Sequence, residues 1–302
     1  MTPTAMALAD IFLPLPTFAE HDGVVITHFG RNAVFLGAIN EALRVGDTRS
    51  DIEVCIELGK KLHPDMWPFD DVPDFFTKQL KPELGVDFDG LRELGVWQPD
   101  YTYRKFEKGG LRTDGEPGFN TVTGMVELTS TLFEAWGDDA LPYFKEPPYS
   151  PYSTPELWKE YPLVLTTGAR KFTSFHSEHR QIGTLREIDP DPIVEINPAT
   201  AKALGIIDGD NVMIENMFGK CKMKAQLTPT IHEKVVHCTH GWWFPEKPAE
   251  EPSLYGVWEA NVNTLVPHKH IGKLGFGAPH KQMICKIYRV DPGHTFTLDS
   301  LS

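Results

Sequence analysis

The sequence predicts a mixed α/β chain, in which an α/β segment is followed by a small β-barrel with a helix set into it. Three observations predict this. Between Pro192 and Trp243, short β-branched runs alternate with turn residues at close spacing. Within that stretch a single helix carries both its start and its stop signal. Upstream of it, two stretches with helical apolar spacing lead into a proline-rich joint.

In chain order, Ala33 to Val45 and Asp51 to Leu62 have apolar residues at helical spacing, the second starting at a Ser50 N-cap. Such helices need partners, and Trp67, Phe69, Phe75 and Phe76 are the candidates for apolar surface left uncovered. Pro142, Pro147, Pro148, Pro151 and Pro155 make a stiff joint and place a boundary near residue 150. The expected division is therefore 1–150, a barrel over 151–292, and a tail over 293–302 without periodicity.

The barrel opens with an apolar strand from Tyr161 to Thr167. Ile193 to Ile196 is a strand, and Asn197-Pro198 starts a short helix through Leu204, with Asn as N-cap and Pro at the first helical position. Gly205 stops it. Asp208-Gly209-Asp210 is a turn, Asn211 to Glu215 a strand, and Asn216 to Gly219 a loop whose glycine is expected to take a positive φ. In the return strand, Lys220, Lys222, Lys224 and Gln226 alternate with Cys221, Met223, Ala225 and Leu227, so one face is wet and the other buried. Val235 to Cys238 then runs into His240-Gly241-Trp242-Trp243.

Of 302 residues, 41% are hydrophobic and 24% charged, a globular composition, and the formal net charge of −13 argues against a nucleic-acid partner. No run approaches the ~18 apolar residues needed to cross a bilayer. The four cysteines, Cys55, Cys221, Cys238 and Cys285, include no Cys-x-x-Cys pair, so no locally encoded iron-sulfur or zinc ribbon is expected, and buried free thiols are.

Several motifs stand together in one order: Thr166-Thr167-Gly168-Ala169-Arg170, His176-Ser177-Glu178-His179-Arg180, Leu185-Arg186, Glu195-Ile196-Asn197-Pro198, Leu204-Gly205-Ile206 before Asp208-Gly209-Asp210, His240-Gly241-Trp242-Trp243, Asn261-Val262-Asn263-Thr264-Leu265 and Cys285-Lys286-Ile287-Tyr288. In that order they resemble the C-terminal domain of the molybdopterin oxidoreductases, the dimethyl sulfoxide reductase superfamily. The Gly-Trp-Trp and Cys-Lys-Ile-Tyr elements look most like the branch with thiosulfate or polysulfide reductases, acetylene hydratase and pyrogallol transhydroxylase. The fold implied is a double-psi β-barrel of the aspartate decarboxylase-like type. Met1 to Ala5 with Ala9 to Pro14 resembles a segment internal to the family's catalytic subunit, and Gly118 to Leu128 resembles another, with Thr123 in place of Ser and Met125 in place of Lys.

Read from the residues alone, Thr167-Gly168-Ala169-Arg170 is either a strand-ending turn or a place where backbone N–H groups approach a ligand closely. By resemblance, Thr167, Gly168 and Arg170 contact the cofactor, and His176 and Ser177 reach its pterin system as hydrogen-bonding groups. Lys171, Arg180 and Arg186 would lie near its phosphates. Trp242 and Trp243 belong to the core or wall the cofactor funnel, with core the expectation for one of them. Asn261 is expected to contact the cofactor in preference to Asn263, and Lys281 to make a last contact before the final strand. Gly272 to Gly277 lacks the strand and helix that a nucleotide fingerprint needs. The pairs His176 with His179 and His237 with His240 would share a face only in a helix, which Val235-Val236 and Gly241 oppose, so no metal site is expected. No catalytic triad is read from Ser177 and its neighbouring histidines.

The resemblance implies the cofactor-binding portion of a molybdenum or tungsten bis(molybdopterin guanine dinucleotide) oxidoreductase. Its iron-sulfur cluster and metal-ligating residue would belong to a part upstream of Met1, and the chain alone would be inactive. The implied partners are that upstream half and an iron-sulfur electron-transfer subunit. The alternative is a stand-alone or split-subunit molybdopterin-binding protein with no activity of its own.

Overall fold

A computed structural model describes residues 7–28, 34–100, 102–169, 171–268 and 281–291. Arg170, the Gly272–Gly277 stretch, the tail from Pro292 and the Met1–Ala5 motif lie outside the described residues. The chain forms two units, Ile11–Glu127 and, chiefly, Leu128 onward.

The first unit holds an antiparallel sheet of β1 (Gly23–His28), β2 (Val34–Ile39) and β3 (Val96–Trp97), with β2 central. The helix expected over Ala33–Val45 is therefore a strand as far as Ile39. Its apolar run is short enough to satisfy either period, and three features decide it. Val, Phe and Ile favour a pleated surface, Gly37 costs a helix about 1 kcal/mol, and strands on both sides satisfy the backbone. Leu36 is buried against Leu80 and Leu91 of the helices Val72–Leu84 and Phe88–Leu94. The helix Asp51–Leu62 forms as expected. Glu53 N–H donates to Ser50 Oγ at 3.3 Å while Ser50 N–H donates to Glu53 Oε2 at 2.6 Å, a reciprocal cap.

Trp67, Phe69, Phe75 and Phe76 are half-buried and pack edge-on in succession, so they are not the main uncovered surface. Part of the uncovered apolar surface is on one face of the sheet. Val25, Gly37 and Val96 form one row across it, with Phe35 alongside, and the three larger side chains are exposed.

In the second unit, β4 (Leu163–Ala169), β5 (Ile193–Ile196), β6 (Asn211–Asn216), β7 (Gly219–Leu227), β8 (Val235–Thr239) and β9 (Met283–Arg289) close into a barrel in the order β4-β8-β5-β7-β6-β9. The pairs β4/β8 and β5/β7 are parallel and the rest antiparallel. Alternation along β7 points Cys221, Met223 and Ala225 inward, where they join Leu165, Val194, Ile196, Ile214 and Met283. The helix Pro198–Ala203 sits where its signals place it. Asn197 Oδ1 accepts from Ala199 N–H at 2.9 Å, and Asn197 Nδ2 donates to the Ile231 carbonyl at 2.8 Å. The proline-rich joint expected as a boundary near residue 150 lies in this second unit, and Tyr149 packs on the barrel core and edge-on to Phe218.

Two expectations need correction here. Gly219 is not among the positive-φ glycines; a Cβ there would stand 2.9 Å from the Thr264 carbonyl oxygen, so close approach is what excludes a side chain. The cysteines also divide. Cys221, Cys238 and Cys285 are buried in the barrel, but Cys55 is exposed on the outer side of the helix Asp51–Leu62.

Candidate functional site

Strand direction brings the expected site residues to one end of the barrel. The C-terminal ends of β4, β6 and β8 and the N-terminal end of β9 lie there, because β4 and β8 are parallel and β9 runs antiparallel to β4 and β6. Each expected segment follows or precedes one of these ends, or packs on it.

On β4, Thr167 is buried and pairs in register with Cys238, whereas Ala169 pairs with Thr239. Gly168 is the extra residue that this shift leaves over. Its φ is +97°, a conformation that a Cβ would strain. The open side of this bulge faces Lys281, whose Cε would be 3.9 Å from a Cβ on Gly168. Lys281 is exposed and makes no ion pair among the described residues. Lys171 and Arg186 are instead engaged with Asp189 at 3.4 Å and Glu246 at 3.1 Å. A backbone bulge without a side chain beneath an ammonium suits a phosphate.

The loops after β4 and β8 meet beside it. His176 and His179 hold left-handed backbone at φ +51° and +72°, which is uncommon outside glycine. His176 Nδ1 lies 3.3 Å from His240 Nε2, with the rings edge-on and Phe175 against His176. The histidines thus pair across loops, and not as the neighbours that sequence spacing matched. His237 is committed elsewhere, its Nδ1 lying 2.7 Å from Thr166 Oγ1. At Gly241, φ is +62° and a Cβ would come within 3.3 Å of the His176 carbonyl oxygen and Ser177 Cβ. Trp243 Nε1 donates to the Ser177 carbonyl at 2.6 Å.

Beneath these loops lies Arg180, which sequence analysis placed near phosphates and which the fold turns inward. It is 4% exposed. Nε donates to the Gly241 carbonyl at 3.1 Å, and Nη2 donates to the His176 and His240 carbonyls at 3.2 and 3.1 Å. Its guanidinium stacks on Trp242 at 4.0 Å from the ring centroid, and Arg186 stacks on the same ring at 4.9 Å. Burial and the neighbouring Arg186 charge pull Arg180 down to about 10, which leaves it cationic at neutral pH. Both tryptophans are core, Trp242 completely so, and its Nε1 has no hydrogen-bond partner among the described residues. A buried donor in that state costs ~1–3 kcal/mol.

Asn261 caps the short turn Val262–Leu265, its Oδ1 accepting from Asn263 N–H at 3.0 Å, while Asn263 itself is exposed. The Asn261 amide N–H groups are what this leaves for a ligand. The turn is tied to the β6–β7 hairpin by Asn216, whose Nδ2 donates to the Leu265 carbonyl at 2.8 Å. Ser177 sits with its carbonyl bound inward. Among the described residues, no group of three or more His, Cys, Asp or Glu side chains is placed to hold a metal ion.

The Lys281 ammonium over Gly168, unpaired among the described residues, and the paired histidine loops fit an anionic ligand with a hydrogen-bonding ring system. Comparisons with known proteins give the family. Residues 163–284 match the molydopterin dinucleotide binding domain. Dopamine dehydroxylase of Eggerthella lenta is 38% identical over 206 residues, 59% of this chain and 20% of that protein. Acetylene hydratase of Syntrophotalea acetylenica is 31% identical over 252 residues, 82% of this chain and 33% of that protein. The solved structure of acetylene hydratase from Pelobacter acetylenicus superposes with a TM-score of 0.84 at 26% identity, covering 96% of this chain and 39% of that one. The chain thus spans between a fifth and two fifths of the length of these relatives. With its closed six-stranded barrel and its dinucleotide-binding domain, the chain belongs to the dimethyl sulfoxide reductase superfamily of molybdopterin oxidoreductases.

Proposed function

We propose that the barrel end binds the guanine dinucleotide form of the molybdopterin cofactor, with Gly168 and Lys281 at a phosphate and Thr167, His176, Ser177 and Asn261 around the pterin, Trp242 supporting their loops from the core. The observation that carries this reading is the meeting of Gly168 with Lys281, from the far end of the domain and without an ion pair among the described residues. Arg170 adds to it by resemblance. When bound, the molybdenum or tungsten cofactor supplies the redox chemistry, while the chain's own groups orient it and exclude water. The test is equilibrium binding of cofactor extracted from a molybdoenzyme to the full chain, with guanosine diphosphate as the minimal probe. Saturable binding that Lys281→Met weakens supports the reading. Equal affinity in Lys281→Met, or no binding at all, overturns it.

In this reading the chain alone turns over no substrate. The iron-sulfur cluster that delivers electrons belongs to another stretch of polypeptide, since Cys221, Cys238 and Cys285 are enclosed in the barrel. The apolar outer sheet face of Val25, Phe35 and Val96 favours a chain that works against further polypeptide over a stand-alone carrier. An assay with reduced viologen as electron donor tests this. Robust turnover by the purified chain would reject it, whereas co-purification with a cluster-bearing chain supports it.

A further inference from the structure

We propose that Arg180 is a positioning residue that sets His176 and His240 as a fixed donor–acceptor pair. The inference deepens the cofactor reading in one respect, since it assigns what the pair presents to the ring system.

The argument begins with an imbalance. Arg180 is a cation 4% exposed whose side-chain hydrogen bonds among the described residues go to carbonyls, while the Asp189 carboxylate acts on it only through space. Isolated buried charge is costly, and such groups ordinarily pair with an opposite charge. Arg180 spends its donors on three carbonyls instead, and these belong to His176, His240 and Gly241. Both histidines of the 3.3 Å contact are therefore gripped through their own carbonyl groups by one rigid guanidinium. The Trp242 ring fixes the plane of that guanidinium from below.

A planar fork matters for this task. Arg180 reaches three acceptors on two loops that sequence separates widely, and the loops gain one shared geometry. A lysine ammonium carries the same charge without the fork. His176 also holds φ +51°, and such strain persists only where surrounding contacts over-determine it. The grip at the carbonyl, the Gly241 approach at 3.3 Å and the Trp243 bond to Ser177 at 2.6 Å provide that over-determination.

The chemical consequence concerns the tautomer. A ring nitrogen pair in contact requires one N–H and one lone pair. With His240 Nε2 as the donor and His176 Nδ1 as the acceptor, the arrangement that the test below reads, His176 Nε2–H remains as a donor for a ligand. Arg180 thereby decides which face of His176 a bound heterocycle meets.

The test is nuclear magnetic resonance on the full chain labelled with ¹⁵N-histidine and ¹⁵N-arginine, without ligand. Expected for the wild type are Nε2–H tautomers for both rings and a nitrogen–nitrogen coupling between His240 Nε2 and His176 Nδ1. Arg180→Lys, which keeps the charge, should lose the coupling and mix the tautomers. Retention of both in folded Arg180→Lys overturns the proposal, as does their absence from the wild type. His240→Ala guards against misfolding of the arginine variant. If Arg180 positions the loops, its guanidinium protons stay slow to exchange with water in His240→Ala; if they become fast, the histidines hold the arginine and the proposal fails. Extracted cofactor gives the second arm, with affinity in Arg180→Lys lower by roughly tenfold, the scale of a lost outer-contact residue. Intact couplings with no cofactor binding by wild type would reject the cofactor reading and leave the positioning role standing.

Discussion

Trp243 and Ser177 are joined by a hydrogen bond of 2.6 Å from the indole Nε1 to the backbone carbonyl, which ties the loop after β8 to the loop after β4. Trp243→Phe keeps most of the apolar contact and deletes this bond. The expected cost is about 1 kcal/mol in denaturant unfolding. Amide exchange should accelerate in the loop around Ser177 and not in β5 or β7. Uniform acceleration across the barrel would mean that the bond supports the whole fold and not the loop.

Gly168→Ala and Lys281→Met should separate strain from charge. The alanine must hold φ +97°, at a cost of roughly 1–3 kcal/mol, although its Cβ would have room. Lys281→Met lies on the surface and should change stability by no more than about 0.5 kcal/mol. Both should weaken guanosine diphosphate binding. Calorimetric unfolding beside a binding titration checks the pair.

Much of this was legible in the sequence, for a local reason. Asn197, Pro198, Gly205 and the alternation from Lys220 to Leu227 act over a few residues each, and every one of those elements forms where its signals stand. The strand at Val34–Ile39 was not legible, because a short apolar run fits both periods until its neighbours are known. The site divides in the same way. Thr167, Gly168, His176 and Lys281 announced themselves through motifs. Their geometry did not, since the His176–His240 contact and the approach of Lys281 to Gly168 depend on the parallel pairing of β4 with β8 and the return of β9. The inward turn of Arg180 was not legible, because surface and core arginines look alike until three carbonyls close around one.

Thiol chemistry offers a clean readout of barrel closure. Burial pushes the Cys221, Cys238 and Cys285 thiols well above their ordinary range, whereas Cys55 is exposed. An aromatic disulfide reagent at neutral pH should therefore titrate Cys55 alone in the native chain and the other three only on unfolding. Rapid native labelling of any barrel cysteine would contradict the packing.

Acid should weaken the contact between the helix Val257–Ala260 and β7. Burial would raise the Glu259 carboxyl, but hydrogen bonds from Lys222, at 2.7 Å, and Lys247 outweigh it and hold the group below the usual range. A carboxylate with a depressed folded pKa contributes stability that is complete above its unfolded value of about 4.3 and lost as pH falls through the folded one. Glu259→Gln should lower stability at neutral pH and flatten its decline below about pH 4. An unchanged acid slope in unfolding experiments would show the two lysine contacts to be energetically idle.

The placement of β9 has a consequence for biosynthesis. It pairs with both β4 and β6, yet it follows every other barrel strand in the order of translation. While the ribosome works toward Met283, β4 and β6 present bare hydrogen-bonding edges that can recruit a neighbouring nascent chain. A premature stop anywhere before this strand therefore yields an unclosed, adhesive sheet instead of a smaller barrel, and a chaperone that shields those two edges until Arg289 has emerged would govern the yield of folded protein.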